Sequence, residues 1–291
     1  MRYEGPIYRP PSEADSLLIQ ATAGCPHNKC TFCMVYKQGP KYRVRPVSEV
    51  IEDMQEARRN LGDAVRTMFL PAGNSMAVPA DQLVEICQAA REIFPLLERI
   101  TVYGSSRTIL DKGEGDLRRL ARAGLSRVHV GLESGDDDVL RSIKKGTTRQ
   151  EQIEAGQMLV RAGIENSIYV MLGIGGRART RAHAQATASA ISRIRPDCVR
   201  VRTFLPKVNT PLLREIEKGE FEVVSPYEAL TELRTLIAGV ECETGLASDH
   251  YTNYVNAEGV LPRDRKRLLE MVDRALAMDE GCFRPVYVGS Q

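Results

Sequence analysis

The sequence has almost no excess of charge: 40 Lys and Arg stand against 38 Asp and Glu, for a net charge of +2. That balance is far from the basic footprint of a dedicated nucleic-acid binder and nominates no polyanionic partner. Long hydrophobic runs are missing too. No stretch reaches the roughly 18 apolar residues of a membrane span, and the opening segment MRYEGPIYRPPSEADS has no apolar core of the kind a secretory signal needs. The expectation is a soluble, cytoplasmic protein with no membrane partner. Cysteine occurs in an odd number, seven, in a chain too large to need disulfide staples, which argues against a secreted disulfide scaffold. The rest is globular material, with 43% hydrophobic and 27% charged residues over 291 positions, enough for a sizeable core. Length alone suggests about two domains, but one barrel of alternating strands and helices absorbs the same length.

Short apolar runs at residues 16–22, 65–70, 100–103, 127–132, 167–172 and 198–204 are strand candidates. Between them, segments such as VSEVIEDMQEARRNLG and PADQLVEICQAAREIF place apolar residues at helical spacing. Two helices end alike, in Arg122-Ala123-Gly124-Leu125 and Arg161-Ala162-Gly163-Ile164, 39 residues apart, with Gly where a left-handed cap is needed. Such alternation builds a parallel sheet that either fans open or curls into a partial barrel. In both cases functional groups gather at the C-terminal edge of the strands. The unusual residues lie there: the cysteine cluster after the first strand, then residues 71–74, 104–107, 133–135 and 173–176. Beyond residue 206, helical patterns near 226–240 and 262–278 flank a polar segment, 248–253, with no low-complexity linker before them. The expected organisation is an N-terminal arm (1–15), an α/β partial (β/α)6 TIM-like barrel (16–206) and a C-terminal helical extension closing the barrel (207–291).

Cys25, Cys30 and Cys33 fall within nine residues, a soft-ligand set suited to zinc or an iron-sulfur cluster. A structural zinc wants a closed set of four ligands, and the only near candidate for the fourth is His27. Three thiolates without a fourth ligand suit a [4Fe-4S] cluster with one iron open to a substrate or cofactor. Cys87, Cys198, Cys242 and Cys282 are scattered singly and read as buried, inert thiols.

The cluster after a first strand, with Phe32 just before the last cysteine, closely resembles the radical S-adenosylmethionine (SAM) superfamily. The resemblance covers roughly residues 16–206 and is strongest to the branch of methylthiotransferases, the Elongator acetyltransferase subunit and oxygen-independent coproporphyrinogen oxidase. The usual pattern is C-x3-C-x2-C; here four residues separate Cys25 from Cys30. The resemblance implies that the three thiolates hold a [4Fe-4S] cluster whose unique iron is chelated by SAM. Reductive cleavage of SAM would then yield a 5′-deoxyadenosyl radical, with a flavodoxin or ferredoxin as electron donor. Ala72, Gly73 and Asn74 stand where the family has a GGE-like segment, with Asn74 replacing the acidic residue. Ser105, Ser106 and Arg107 offer hydroxyls and a guanidinium for a ribose or carboxylate; the alternative for Arg107 is a solvated loop residue. Glu133, in a GLESG segment, would reach the SAM ribose or the substrate, or else cap the following helix. Gly173 and Ile174 resemble the adenine-contacting turn after strand five.

His129 reads as a core or barrel-lining imidazole, and His183 as a surface residue opening a helix. Asp249 and His250 lie in a dense polar group that suits a substrate-facing lid. The leading reading is a radical SAM enzyme abstracting hydrogen from a small-molecule substrate. One alternative is an iron-sulfur electron-transfer or metal-binding protein that does not cleave SAM. Another is a tRNA-modifying member of the superfamily, favoured by the arginines of 177–181 and 193–202. The lack of a second cysteine triad weakens methylthiolation.

Overall fold

The protein is described by a computed structural model covering residues 1–290. It divides into two compact units. The first comprises Met1–Asn28, Gln38–Val130 and Met158–Asn166. Its elements are β1 (Leu17–Leu18), β2 (Thr22–Ala23), β3 (Arg43–Val44), α1 (Val47–Leu61), β4 (Thr67–Leu70), α2 (Ala80–Ile93), β5 (Arg99–Gly104), α3 (Ser106–Ala123) and most of β6 (Leu125–Glu133). Strands β1, β4, β5 and β6 pair side by side in parallel, with Leu17 opposite Met68, Met68 opposite Ile100, and Val102 opposite Val128. Phe69, Leu70, Ile100, Val102 and Val128 are fully buried, the near-continuous apolar pattern of a parallel sheet covered on both faces. Helix α1 buries Val50, Met54 and Ala57 along one stripe. Helix α3 opens on a capping box made by Ser105 and Thr108 and stops at Gly124, whose φ of 112° is the left-handed cap expected there.

The run expected as one strand over 16–22 is two. Leu17–Leu18 pairs with β4, whereas Thr22–Ala23 pairs antiparallel with β3. Between them the Gln20 carbonyl accepts from Arg45 Nη1 at 2.6 Å, and the Gln20 side chain donates to the Thr22 carbonyl at 3.0 Å. Side chains thus take up the backbone groups at the point where the strand changes partner.

The second unit comprises Lys29–Lys37, Gly131–Gln157 and Ser167–Gln291. It carries α4 (Asp137–Ser142), most of α5 (Arg149–Arg161) and β7 (Glu165–Leu172), then α6 (Thr180–Ile194), β8 (Cys198–Thr203), α7 (Pro211–Glu217), α8 (Pro226–Gly239), β9 (Thr244–Ala247), β10 (Glu258–Leu261) and α9 (Arg265–Leu276). Strands β7, β8 and β9 run parallel, and β10 closes on β9 antiparallel. Beyond residue 206 the helical reading missed β9 and β10. Each has four residues and contains a glycine, too short to show a period of two. Among the described residues no helix is long and apolar enough to cross a membrane.

Candidate functional site

In the first unit, the chain reaches the cysteine loop through Gly24, whose φ is 67° and whose missing Cβ would lie 2.5 Å from the Pro40 carbonyl oxygen. Only glycine fits. The Gly24 carbonyl accepts the Gly73 N–H at 3.2 Å, so the segment after β4 is tied to the base of the loop carrying Cys25. Ala72 is held at φ 86°, a left-handed conformation that costs a non-glycine residue energy and recurs at functional turns. Asn74 donates through Nδ2 to Ser105 Oγ at 3.0 Å and accepts at Oδ1 from Thr108 Oγ1 at 3.3 Å. The amide replacing the family's carboxylate is thereby engaged with the N-terminus of α3. Ser106 is buried, and Arg107 is exposed, 3.7 Å from Asp111.

In the second unit, the Thr31 N–H donates to the Ile143 carbonyl at 3.0 Å and the Thr31 carbonyl accepts from the Leu212 N–H at 3.1 Å, holding the strip that carries Cys30 and Cys33. Phe32 packs against a buried cluster of Val139, Ile143, Ile174, Phe204 and Leu212. Phe32 and Ile174 therefore meet in one apolar patch, although they are far apart in sequence.

Glu133 adopts φ 62° and pairs with Lys145 at 3.1 Å. A Cβ on Gly131 would lie 2.3 Å from Glu133 Oε1, so the glycine of GLESG makes room for this folded-back carboxylate. Burial pulls the Lys145 ammonium below its ordinary value, but Glu133, Cys30 and Cys33 outweigh it and the net shift is upward. The helix-cap alternative for Glu133 is corrected: Asp136 is the N-cap of α4, accepting from Asp138 N–H, because the chain needs three more residues to turn after β6.

His183 is a second correction, for it is fully buried. Its Nδ1 lies 2.8 Å from Ser134 Oγ and its Nε2 lies 3.6 Å from Glu232 Oε2, while Glu232 accepts the Gly173 N–H at 2.6 Å. Gly135 comes so close to α6 that a Cβ would lie 2.4 Å from the Ala186 carbonyl oxygen, which brings Ser134 to the imidazole. Burial lowers His183 from 6.5 to about 4 and raises Glu232 from 4.5 to about 8. The pair is thus neutral through the middle of the pH range, since an isolated buried charge costs more than its protonation change. Arg179 adds a fork on Asp136 at 2.8 and 3.0 Å. The turns after β6 and β7 are consequently fastened from below by Ser134, His183, Glu232, Asp136 and Arg179. Lys145 and Glu232 left no sequence signal, since each is one polar residue in an ordinary helical or loop pattern. Asp136 and Asp138 could have been found as acidic residues opening a helix.

Asp249 pairs with Arg200 at 2.9 Å, and His250 is half-buried with Nδ1 2.7 Å from Thr252 Oγ1. His129 is buried as expected, 3.3 Å from Glu13. Cys87 and Cys242 are buried, Cys198 is half-buried, and Cys282 is exposed, against the expectation of a buried thiol: it lies in a short turn after α9 that buries none of its own residues.

Cys25, Cys30 and Cys33 are half-buried thiols outside any disulfide. Among the described residues no three His, Cys, Asp or Glu side chains are gathered closely enough to hold a metal ion. The donor set nevertheless suits an iron-sulfur cluster: three unoxidised thiols on one short loop, with a buried ammonium near two of them to offset thiolate charge. Ordering of such a site is coupled to binding.

A family model described as the radical SAM superfamily matches residues 19–183. The tRNA-2-methylthio-N(6)-dimethylallyladenosine synthase of Halalkalibacterium halodurans is 21% identical over 264 residues, 81% of this chain and 44% of that one. The anaerobic magnesium-protoporphyrin IX monomethyl ester cyclase of Cereibacter sphaeroides is 25% identical over 214 residues, 72% of this chain and 34% of that one. The chain spans less than half the length of these curated relatives. Among solved structures, methylornithine synthase superposes with a TM-score of 0.56 at 17% identity, covering 88% of this chain and 68% of that one. Coproporphyrinogen III oxidase from Escherichia coli gives 0.57 at 17% identity, covering 77% and 51%. The expected α/β fold is the fold of these neighbours.

Proposed function

The chain belongs to the radical SAM superfamily, as an enzyme of a family that uses a [4Fe-4S] cluster and SAM, and from that premise we propose that it cleaves SAM reductively to abstract hydrogen from a small-molecule substrate. Cys25, Cys30 and Cys33 would hold the cluster. When bound, it supplies the electron that splits SAM into methionine and a 5′-deoxyadenosyl radical. The observation that carries the reading is the position of the strained turns. Of the six non-glycine residues with positive φ among those described, Asn28 lies in the cysteine loop, Ala72 after β4 and Glu133 at the end of β6. Strain concentrated where ligands gather is a mark of a binding site.

The chain's own residues have distinct tasks in this reading. Ala72 and Gly73 present backbone groups to the SAM ammonium, and Asn74 holds Ser105 in place for the ribose. Glu133, restrained by Lys145, orients a SAM hydroxyl, and Gly173 and Ile174 shape the adenine subsite. Phe32, seated on the Val139 and Ile174 patch, keeps water from the reacting groups. A small substrate is favoured over RNA because three of the arginines that suggested nucleic acid are paired internally. Arg177 pairs with Glu228, Arg179 with Asp136 and Asp138, and Arg200 with Asp249.

The test is anaerobic reconstitution with iron and sulfide, reduction with SAM, and chromatography for 5′-deoxyadenosine, beside Cys30→Ala. Formation by the wild type alone supports the proposal. A loaded, reducible cluster giving none, with and without a low-potential flavodoxin, favours electron transfer instead.

A further inference from the structure

We propose that Glu232 is a positioning residue for the adenine of SAM: its carboxyl oxygen fixes the Gly173–Ile174 turn from below, and through His183 and Ser134 it ties that turn to the one after β6. The inference rests on the SAM-cleaving reading above and adds to it a specificity-determining residue 59 positions away from the turn it sets.

The turn after β7 has little to hold it from within. Gly173 takes φ 76° and Gly176 φ 65°. The turn's own hydrogen bonds are long, 3.4 Å from the Ile174 N–H to the Met171 carbonyl and 3.1 Å from the Gly176 N–H to the Gly173 carbonyl. The Gly173 N–H donates instead to Glu232 Oε2 at 2.6 Å, shorter than either. The turn lies close on its supports: a Cβ on Gly173 would meet Val224 at 2.5 Å, and one on Gly175 would lie 3.5 Å from the His183 Cβ. Glu232 occupies a place where an apolar residue would pack at less cost. Helix α8 otherwise buries Ala229, Leu230, Leu233, Leu236 and Ile237. Glu232 is as buried as these, and its Oε1 has no hydrogen-bond partner among the described residues. A carboxyl buried with one oxygen unmet costs stability, and proteins break such rules at functional positions. What the position gains in return is its bond to the turn.

From Glu232 the contacts run on to the second turn. His183 Nε2 lies 3.6 Å from Glu232 Oε2, and the imidazole also faces the Met171 carbonyl. On its other side Nδ1 lies 2.8 Å from Ser134 Oγ, which accepts the Asp136 N–H at 3.0 Å. One turn further along α6, Thr187 Oγ1 accepts the Gly135 N–H at 2.9 Å. Helices α6 and α8 pack on each other, so the turns after β6 and β7 are both fixed to one helix pair. Burial keeps Glu232 and His183 uncharged at neutral pH, and the turns are held without an ion pair. Such rigidity bears on base recognition. Adenine presents a donor at N6 and an acceptor at N1, and hypoxanthine reverses both. Backbone N–H and carbonyl groups of a turn tell the two bases apart only while the turn is held still.

The test is equilibrium binding of SAM and, separately, of S-inosylmethionine to the reconstituted, unreduced holoenzyme, for the wild type, Glu232→Met, Glu232→Gln and Leu236→Ala. Met keeps the bulk and removes the acceptor, Gln keeps an acceptor for the Gly173 N–H, and Leu236→Ala loosens α8 one turn farther along. Glu232→Met is expected to lose about tenfold in SAM affinity and in the preference for SAM over its inosyl analogue, with Glu232→Gln within about threefold of wild type. Leu236→Ala should lower thermal stability and leave the preference unchanged. A wild type that does not discriminate between the two ligands, a Glu232→Met protein that keeps the wild-type preference, or an equal loss in Leu236→Ala overturns the positioning role. Should Glu232→Met fail to fold, as read by circular dichroism, Ser134→Ala decides: a lowered preference supports the chain of contacts, and an unchanged one overturns it. Deoxyadenosine formation is scored separately. A SAM preference that depends on Glu232 in a protein forming no deoxyadenosine overturns the radical reading and leaves the positioning standing. Deoxyadenosine formed by Glu232→Met at the wild-type KM for SAM does the reverse.

Discussion

Two carboxylates, one in each unit, are buried beside a histidine, and they behave oppositely. Glu13 and Glu232 are 0% and 1% exposed, yet Glu13 is held at about 2 and Glu232 is pushed up to about 8. For both the largest single influence is burial, which favours the neutral acid. The difference lies in what surrounds them. Glu13 accepts from Ser16 at 2.7 Å, Arg127 at 3.0 Å, Arg99 at 3.2 Å, and Thr101 and His129 at 3.3 Å. Glu232 accepts one backbone N–H, from Gly173, and faces an imidazole that burial keeps neutral. Equal burial therefore sets no protonation state by itself; the number of donors and cations supplied to the oxygens does. The first arrangement is a clamp across β5 and β6, and the second is an uncharged brace under the turns after β6 and β7.

The largest effect expected from breaking this contrast is at Glu13. Glu13→Leu strands Arg99, Arg127 and His129 around an apolar side chain and should cost about 3–5 kcal/mol in denaturant unfolding at pH 7. Next is acid. Because the folded pKa of Glu13 lies below its ordinary 4.5, its contribution is complete above pH 4.5 and is lost as pH falls toward about 2. The slope is at most about 1.4 kcal/mol per pH unit, and Glu13→Gln should remove it. Glu232 has the opposite sign. Its folded pKa is raised from 4.5 to about 8, so stability falls as pH rises through that window. His183, lowered from 6.5 to about 4, makes stability rise with pH up to 6.5 and masks the effect there. Between pH 6.5 and 8 Glu232 dominates this pair, so wild-type stability should fall by about 2 kcal/mol over that interval and Glu232→Gln should remove the fall. A variant that tracks wild type across that interval would show that Glu232 is ionised and the contrast false. The smallest effect is Ser134→Ala, about 1 kcal/mol for one neutral hydrogen bond to His183, read as a thermal shift.

Much of the site's address was legible in the chain. The strands after which Cys25, Ala72, Ser105, Glu133 and Gly173 fall could be read from apolar runs, and Gly124 and Gly163 marked helix ends that the structure caps left-handed, at φ 112° and 73°. His183 was misread because a histidine in the first turn of TRAHAQATASAISRI resembles a solvated residue, and only the arrival of Gly135 and Glu232 above it makes it core. Lys145 was missed for a related reason. It is one cation among 40, and its meaning lies in the Glu133 carboxylate opposite it.

The sequence by itself determined the alternation of strands and helices, the turns that end them and the cysteine spacing, because these depend on residues a few positions apart. The tertiary structure alone decided the pairing of buried charge. Glu13 meets Arg127 across 114 positions, Glu232 meets Gly173 across 59 and Arg200 meets Asp249 across 49. Local periodicity carries no record of such partners, since the energy of a buried charge depends on which donors the completed fold brings within about 3 Å.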